Sequence, residues 1–297
     1  MAFDKIIDSA ALDADLTSVA DAIRARGGTS GALAFPDGFV SAVEAISAGG
    51  GGDTSTLFVD VNNRTITDFV ATEDMIKLRD YMFYGNTTLK TVDLSKLSAP
   101  LGTEGRFEVN SLLGSYAFGN CSQLETIFLP DVLDMVGDDT FVFGLTWLGS
   151  RTFSNCTSLR EFCTEVSFVG SSASTNLFER CTALERVITP NFSGILPMRM
   201  FTGCTNLKIV DCSPTSFSTY CFENCGALRT IVLRTTTVAP LSNVNAFTGT
   251  PFAVGGTGGT AYVKSALITS YQTATNWSTL YAAGTCNFVA IEGSIYE

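Results

Sequence analysis

Nine cysteines run through this 297-residue chain, and five of them, Cys121, Cys156, Cys181, Cys204 and Cys225, occupy one position of a recurring block. A row of thiols has two chemical uses, a ladder of disulfides between neighbouring coils or a line of soft metal ligands. Stacked strands lie about 4.8 Å apart, a span that a disulfide bridges. Against both uses, parallel side chains point the same way and the number of cysteines is odd. The sequence also holds no Cys-x-x-Cys pair and no histidine to complete a zinc site. The row reads as small buried thiols that pack a turn.

The lack of histidine removes the commonest general base and the only side chain that titrates unperturbed near neutral pH. Acidic pairs such as Asp138-Asp139 and Glu73-Asp74 have the composition of a general acid and base or of calcium ligands. Neither lies in a loop signature such as DxDxDG, and an isolated acidic pair is ordinarily a solvated turn. Several of the six Asn-x-Ser/Thr sequons, among them Asn86, Asn120 and Asn155, arise because Asn suits the turn of the block. The expectation is a non-enzymatic chain with no catalytic, metal or cofactor site. A net charge of −11 with scattered Lys and Arg argues against nucleic acid as a partner and against anionic membrane surfaces. No run of 18 apolar residues exists for membrane insertion, and the N-terminus has no basic region followed by an apolar stretch, so synthesis in the cytoplasm without a signal peptide is expected.

The elements that position these residues are repeats. A degenerate block FxxCxxLxx[IV]x starts at Phe83, Phe118, Phe153, Phe178, Phe201 and Phe222, with a partial copy at Phe247. Its spacings of 35, 35, 25, 23, 21 and 25 residues mean a solenoid. Leucine and the following Ile or Val point inward, as in Leu124, Ile127 and Leu129, and the phenylalanine row fills the opposite corner of the coil. The outward strand positions form a second row, Asp93, Phe128, Cys163, Ile188, Asp211 and Val232. Four of these six are apolar, which marks either a binding surface or subunit contact, or a face covered by the long inserts or the helical segment. Repeats two and three are longer by about ten residues, and Leu113-Gly114-Ser115 matches Leu148-Gly149-Ser150 at an offset of 35. The extra residues read as a hairpin or small side sheet carrying Phe107, Phe141, Phe143 and Trp147. Its aromatics are either a ligand platform or the core of that hairpin.

The flanks depart from the block. Leu16, Val19 and Ile23, then Phe39, Val43 and Ile46, recur at helical spacing around Pro36-Asp37-Gly38, and Gly49 to Gly52 follows as a hinge. Residues 1–52 are therefore a helical attachment or oligomerisation segment. Strand-like stretches on either side of Asn62-Asn63-Arg64 make residues 53–81 a β cap in the form of a hairpin that covers the first coil. Repeats occupy 82–250, and 251–297 form a closing α+β cap with a strand at AlaTyrVal, a helix over Ser265 to Thr273 with Ser265 as its N-cap, and a last strand at AsnPheValAlaIle.

The block from Ala117 to Pro130 resembles the BspA-like leucine-rich repeat, which has Ala-Phe, Asn or Gly before Cys, a Leu, and a strand ending in Pro. The resemblance covers roughly residues 80–250. Repeat one departs with Thr87 where Cys is expected, and repeat five with Asp211-Cys212 at its strand end. It implies a mainly β leucine-rich-repeat solenoid. Residues 16–39 resemble the N-terminal segment of tail-associated proteins of phages and prophages of Gram-positive bacteria, and residues 262–277 the closing segment of BspA-type proteins of such phages. These likenesses imply a virion tail protein that docks through its N-terminal helices as a homo-oligomer and meets other tail proteins there. Its repeat surface would present a receptor-binding face to a host cell-surface protein or glycan. Two alternatives are a purely structural tail or capsid decoration protein and a bacterial surface adhesin.

Overall fold

Each block passes twice through the left-handed backbone region, and this turns a linear repeat into a coil. The residues two before each phenylalanine, Tyr81, Tyr116, Arg151, Asn176, Arg199 and Tyr220, have φ of 57 to 61°. Those two after it, Gly85, Asn120, Asn155, Arg180, Gly203, Asn224 and Gly249, have φ of 59 to 78°. The second site explains the Asn or Gly that precedes cysteine, since these residues take the left-handed region at least cost.

The chain divides into two units, Met1–Val59 and Asp60–Glu297. The computed structural model describes residues 66–71, 78–96, 113–129, 148–165, 169–170 and 172–297. The helices expected in residues 1–52, the first arm of the hairpin, both acidic pairs and Phe107, Phe141, Phe143 and Trp147 lie outside the described residues.

The phenylalanines from Phe83 to Phe247 are fully buried and stack ring on ring, with centroids 5.2 to 5.5 Å apart along the row. Beside them the backbone forms its own ladder, as in Phe83 N–H to Ala117 C=O at 2.8 Å and Phe153 N–H to Leu177 C=O at 3.0 Å. Each repeat cysteine donates its S–H to the phenylalanine carbonyl one coil earlier: Cys121 to Phe83, Cys156 to Phe118, Cys181 to Phe153, Cys204 to Phe178 and Cys225 to Phe201, at 2.9 to 3.1 Å. All nine cysteines are free thiols. In the first coil the cysteine place belongs to Asn86 and not to the expected Thr87. Asn86 is buried, donates to Ile66 C=O and accepts from the N–H groups of Thr88 and Leu89, so it meets three turn groups where a thiol would meet one. In the last coil Thr250 stands there, its hydroxyl bonded to Phe247 C=O at 2.7 Å.

Short parallel strands follow each turn. β1 (Asp68–Val70), β2 (Thr91–Asp93) and β3 (Thr126–Phe128) make one sheet. β4 (Glu161–Cys163), β6 (Arg186–Thr189), β8 (Ile209–Cys212), β10 (Thr230–Leu233), β11 (Gly259–Val263) and β12 (Cys286–Ala290) make a second. β5 (Val169–Gly170), β7 (Ser193–Leu196) and β9 (Ser216–Phe217) run along another face of the coil. The described arm of the expected hairpin, β1, pairs in parallel with β2 and is the first rung of the solenoid.

The Leu-Gly-Ser segments do not project from the coil. Leu113 bridges both Leu78 and Leu148 and is buried with them, so the 35-residue offset reports the coil itself. Gly114 is required there, because a Cβ would lie 2.3 Å from the backbone nitrogen of Asp80.

At the C-terminal end the helix expected over Ser265 to Thr273 is a 3-10 turn, Ser265–Leu267, followed by α1 (Ile268–Thr273), and a further helix that was not expected, α2 (Trp277–Ala282), comes after it. Ser265 is not a side-chain cap; its N–H donates to the Glu292 carboxylate at 2.9 Å. Trp277 closes the core, fully buried, edge-on to Phe217 at 5.3 Å and bonded through Nε1–H to Ala239 C=O at 2.8 Å.

Two outcomes follow from the inner rows. Phe153→Ala removes one ring from the middle of the stack and is expected to cost about 3–5 kcal/mol in urea unfolding, with the single transition splitting in two as the coils on either side uncouple. Burial holds the thiols of Cys121, Cys156, Cys204, Cys212, Cys221, Cys225 and Cys286 above the ordinary 9.0, Cys121 up to about 12. Below about pH 9 folded and unfolded chains both keep these protons; above it the unfolded chain releases them and the folded chain does not. The urea midpoint is therefore expected to fall between about pH 9 and 12.

Candidate recognition surface

The outward strand positions are brought into line by the ladder registers. Val70, Asp93 and Phe128 are neighbours in the first sheet, and Cys163, Ile188, Asp211, Val232, Tyr262 and Val289 follow one another in the second.

The C-terminal part of this row is covered. Asp211 is 3% exposed and Val232 0%, although both stand on the outward side. Arg234 pairs with Asp211, its guanidinium bonded to both carboxylate oxygens at 2.8 Å and to Tyr296 C=O at 2.9 Å. The bond to Asp211 raises the Arg234 pKa further. Tyr296 packs on Tyr262 with ring centroids 4.7 Å apart. Among the described residues the cover here is the C-terminal strap that carries Tyr296. It matches one carboxylate with one guanidinium because a covered charge needs a partner.

The N-terminal part is open. Phe128 is 52% exposed, Cys163 is exposed and Ile188 is half-buried. They line a cleft of about 380 Å³ together with Ile127, Leu129 and Glu165. Its cause is a break in the strand ladder, since β3 ends the first sheet, β4 begins the second, and the two are not paired. On the turn side the same two coils stay in contact, with Phe118 N–H bonded to Thr152 C=O at 2.9 Å and the Phe118 and Phe153 rings 5.4 Å apart. The solenoid therefore parts as a wedge on its strand face only. Ile127 and Leu129 are half-buried in consequence, whereas their counterparts Val92 with Leu94 and Ile231 with Leu233 are fully buried.

A second surface, absent from the sequence reading, runs along the left-handed turn residues. Tyr81 and Tyr116 stack at 4.9 Å, with Tyr84 edge-on to both. Arg151 lies over the Tyr116 ring at 5.6 Å and donates to its hydroxyl at 2.7 Å, and Arg199 lies over Tyr220 at 5.6 Å. The legible signal was Tyr or Arg two residues before the repeat phenylalanine.

Among the expected surface residues, then, Phe128 and Ile188 share the cleft, Asp211 and Val232 lie under the strap, and Phe141, Phe143 and Trp147 fall outside the described residues. The same holds of the expected docking residues Leu16, Val19, Ile23, Phe39, Val43 and Ile46. Among the described residues no three Cys, Asp or Glu side chains are grouped to hold a metal ion.

Residues 106–144 and 141–250 match the family described as BspA type leucine rich repeat region, in six copies. Over residues 106–250 the repeats are thus similar to the BspA-type leucine-rich repeat. Three solved structures are similar in fold. A leucine rich repeat protein of T. pallidum has 23% identity, covering 56% of this chain and 78% of its own at a TM-score of 0.35. A leucine rich cell surface protein of Faecalibacterium prausnitzii has 19% identity, with 62% and 57% covered and a TM-score of 0.30. A leucine-rich repeat protein of Bacteroides ovatus has 15%, with 68% and 64% covered and a TM-score of 0.32. No curated protein sequence matches the chain. A leucine-rich-repeat surface suggests recognition or adhesion, and the cleft is a part of that surface where several apolar groups are open together.

Of the nine cysteines only Cys163 is exposed. Partial burial, then the negative charge of Glu161, holds its thiol above the ordinary value, so its reaction speeds up as pH rises. A thiol reagent is expected to modify one cysteine in the folded chain, found at Cys163 by peptide mapping, and nine in urea. Two or more fast-reacting thiols would show that the repeat row is not closed.

Proposed function

We propose that this chain is a non-enzymatic phage tail protein that docks to the virion through residues 1–52 as a homo-oligomer and presents its repeat surface for host-cell recognition. The observation that carries the recognition role is the β3–β4 cleft. Apart from Val70 on the first rung, which is also exposed, the outward row elsewhere is polar or lies toward Arg234 and Tyr296, whereas here Phe128, Ile127, Leu129 and Ile188 are grouped and left partly in water. Leaving such groups uncovered forgoes about 25 cal/mol for each Å² of apolar surface, which a binding partner recovers. The tail location is supported by the resemblance of residues 16–39 and 262–277 to segments of phage tail-associated proteins.

The test uses the full chain, fluorescently labelled and applied to a panel of Gram-positive cells. Retention on a subset of strains is expected, and Phe128→Asp, at a site exposed enough to leave folding intact, is expected to lower it at least ten-fold. Antibodies to the chain should decorate tails in electron micrographs of lysates and block adsorption. Failure of the chain to bind any strain, together with adsorption indifferent to the antibody, would exclude the recognition role.

A further inference from the structure

The cleft differs from an ordinary apolar depression in what forms its walls. Among the described residues the other neighbouring rungs on the strand face are joined by main-chain bonds: Lys90 N–H to Thr67 C=O at 2.7 Å, Glu125 to Lys90 at 2.9 Å, Glu185 to Arg160 at 2.7 Å, Lys208 to Glu185 at 2.9 Å, Arg229 to Lys208 at 3.1 Å, Thr260 to Arg229 at 2.8 Å and Gly259 to Thr285 at 3.0 Å. The equivalent bond from Arg160 N–H to Glu125 C=O is not made. At the other end of the strands Leu94 N–H reaches Phe128 C=O at 2.8 Å and Thr164 N–H reaches Ile188 C=O at 2.9 Å, while Leu129 N–H does not reach Cys163 C=O. The alternation of a parallel ladder turns the N–H and C=O of Ile127 toward the same gap, because Thr126 and Phe128 serve β2. Among the described residues, Ile127 of β3 and Glu161 and Cys163 of β4 thus turn main-chain groups toward each other with no ladder between them, a template for a further extended segment.

The side chains around these edges state what kind of segment fits. Ile127, Phe128, Leu129 and Ile188 offer apolar contact on alternate sides. Glu165 is the one charged residue of the lining; its charge is felt by Arg234, but among the described residues it makes no close ion pair and so keeps its carboxylate oxygens for a further cation. We infer that the β3–β4 cleft captures an extended polypeptide segment of a partner protein, alternating apolar with basic residues, by main-chain pairing with the open edges and with a lysine or arginine at Glu165. This rests on the reading of the chain as a recognition protein and names the chemical class of what it recognises. Edge pairing supplies affinity from backbone groups that every peptide has, so selectivity falls to the apolar wall and to the single carboxylate.

The experiment titrates the full chain into a fluorescein-labelled Lys-Val-Lys-Val-Lys-Val peptide and follows anisotropy, alongside the same peptide N-methylated at every amide and a Glu-Val-Glu-Val-Glu-Val peptide. Saturable binding of the first is expected, weaker at least ten-fold for the other two and for Glu165→Lys, with saturating peptide slowing alkylation of Cys163 at least five-fold. Equal binding of the N-methylated peptide, binding without protection of Cys163, or no binding at millimolar peptide would overturn the inference. So would cell retention that is lost on glycosidase treatment and survives protease, since the occupant is then a glycan. The two readings fail separately: retention sensitive to Phe128→Asp with no peptide binding removes the peptide and keeps recognition, whereas retention indifferent to Phe128→Asp removes recognition at the cleft.

Discussion

The stack of coils along the phenylalanine turn is the interaction on which the rest of this molecule depends. A coil has no hydrogen-bonding partners of its own for most of its backbone, so each must find them in the coil above and below. The turn meets that demand three times at each step, with the Phe N–H bonded to the next coil, the Phe C=O accepting the next cysteine S–H, and the ring lying flat on its neighbour. Because the three contacts repeat at one spacing, a change in coil length from 35 to 21 residues is absorbed elsewhere in the coil and the turn is unchanged. The ends of the array show the same demand under other chemistry. Asn86 and Thr250 replace cysteine where a turn must supply its own hydrogen bonds, and Trp277 covers the last rings.

That continuity is what permits a break on the strand face. If the strands alone joined repeats two and three, an unpaired β3–β4 edge would divide the array. With the turn ladder and the Leu113–Leu148 bridge intact, the same break opens a wedge with a rigid back wall. Opening costs the main-chain bonds of one rung, roughly 0.5–1.5 kcal/mol for each, which water satisfies in the free protein and a partner's backbone satisfies in a complex. The covered half of the same face shows the other solution. There the strap brings Tyr296 and Arg234 onto Tyr262 and Asp211, and the surface is closed.

Most of the fold was legible because it depends on local spacing. The Phe, Cys, Leu and Ile/Val rows all sit where period and polarity put them, and the cap strands were visible as short β-rich runs. Features that depend on which distant segments meet were not legible. Arg234 and Tyr296 are 62 positions apart and nothing in either segment announces their bond. The β3–β4 break is a failure of pairing between strands whose sequences, ThrIlePhe and GluPheCys, look like the others. The outward row was thus correctly placed on one face, yet its division into a covered and an open half needed the tertiary structure. Asn86 differs, because its place is fixed by count alone: the repeat cysteine stands three residues after the phenylalanine, and three after Phe83 is Asn86.

The left-handed turn residues raise a separate point of energetics. At the site after phenylalanine the chain relieves the conformation with Gly or Asn in all coils but one, where Arg180 stands. At the site before it, five of six residues are Tyr or Arg, each carrying a penalty on the order of 1–2 kcal/mol that Gly would largely avoid. Selection for stability alone would favour Gly or Asn at both. The side chains offset part of the cost through stacking and cation–π contact, Tyr81 on Tyr116, Arg151 on Tyr116 and Arg199 on Tyr220, at about 0.5–1.5 kcal/mol for each. The remainder is held in place by the buried phenylalanine next door, which fixes the backbone whatever the turn residue prefers. The core ladder therefore does more than stabilise the array: it sets the conformation of an outer ladder whose residues would not choose it, and so fixes the spacing of the aromatic and cationic groups along that edge.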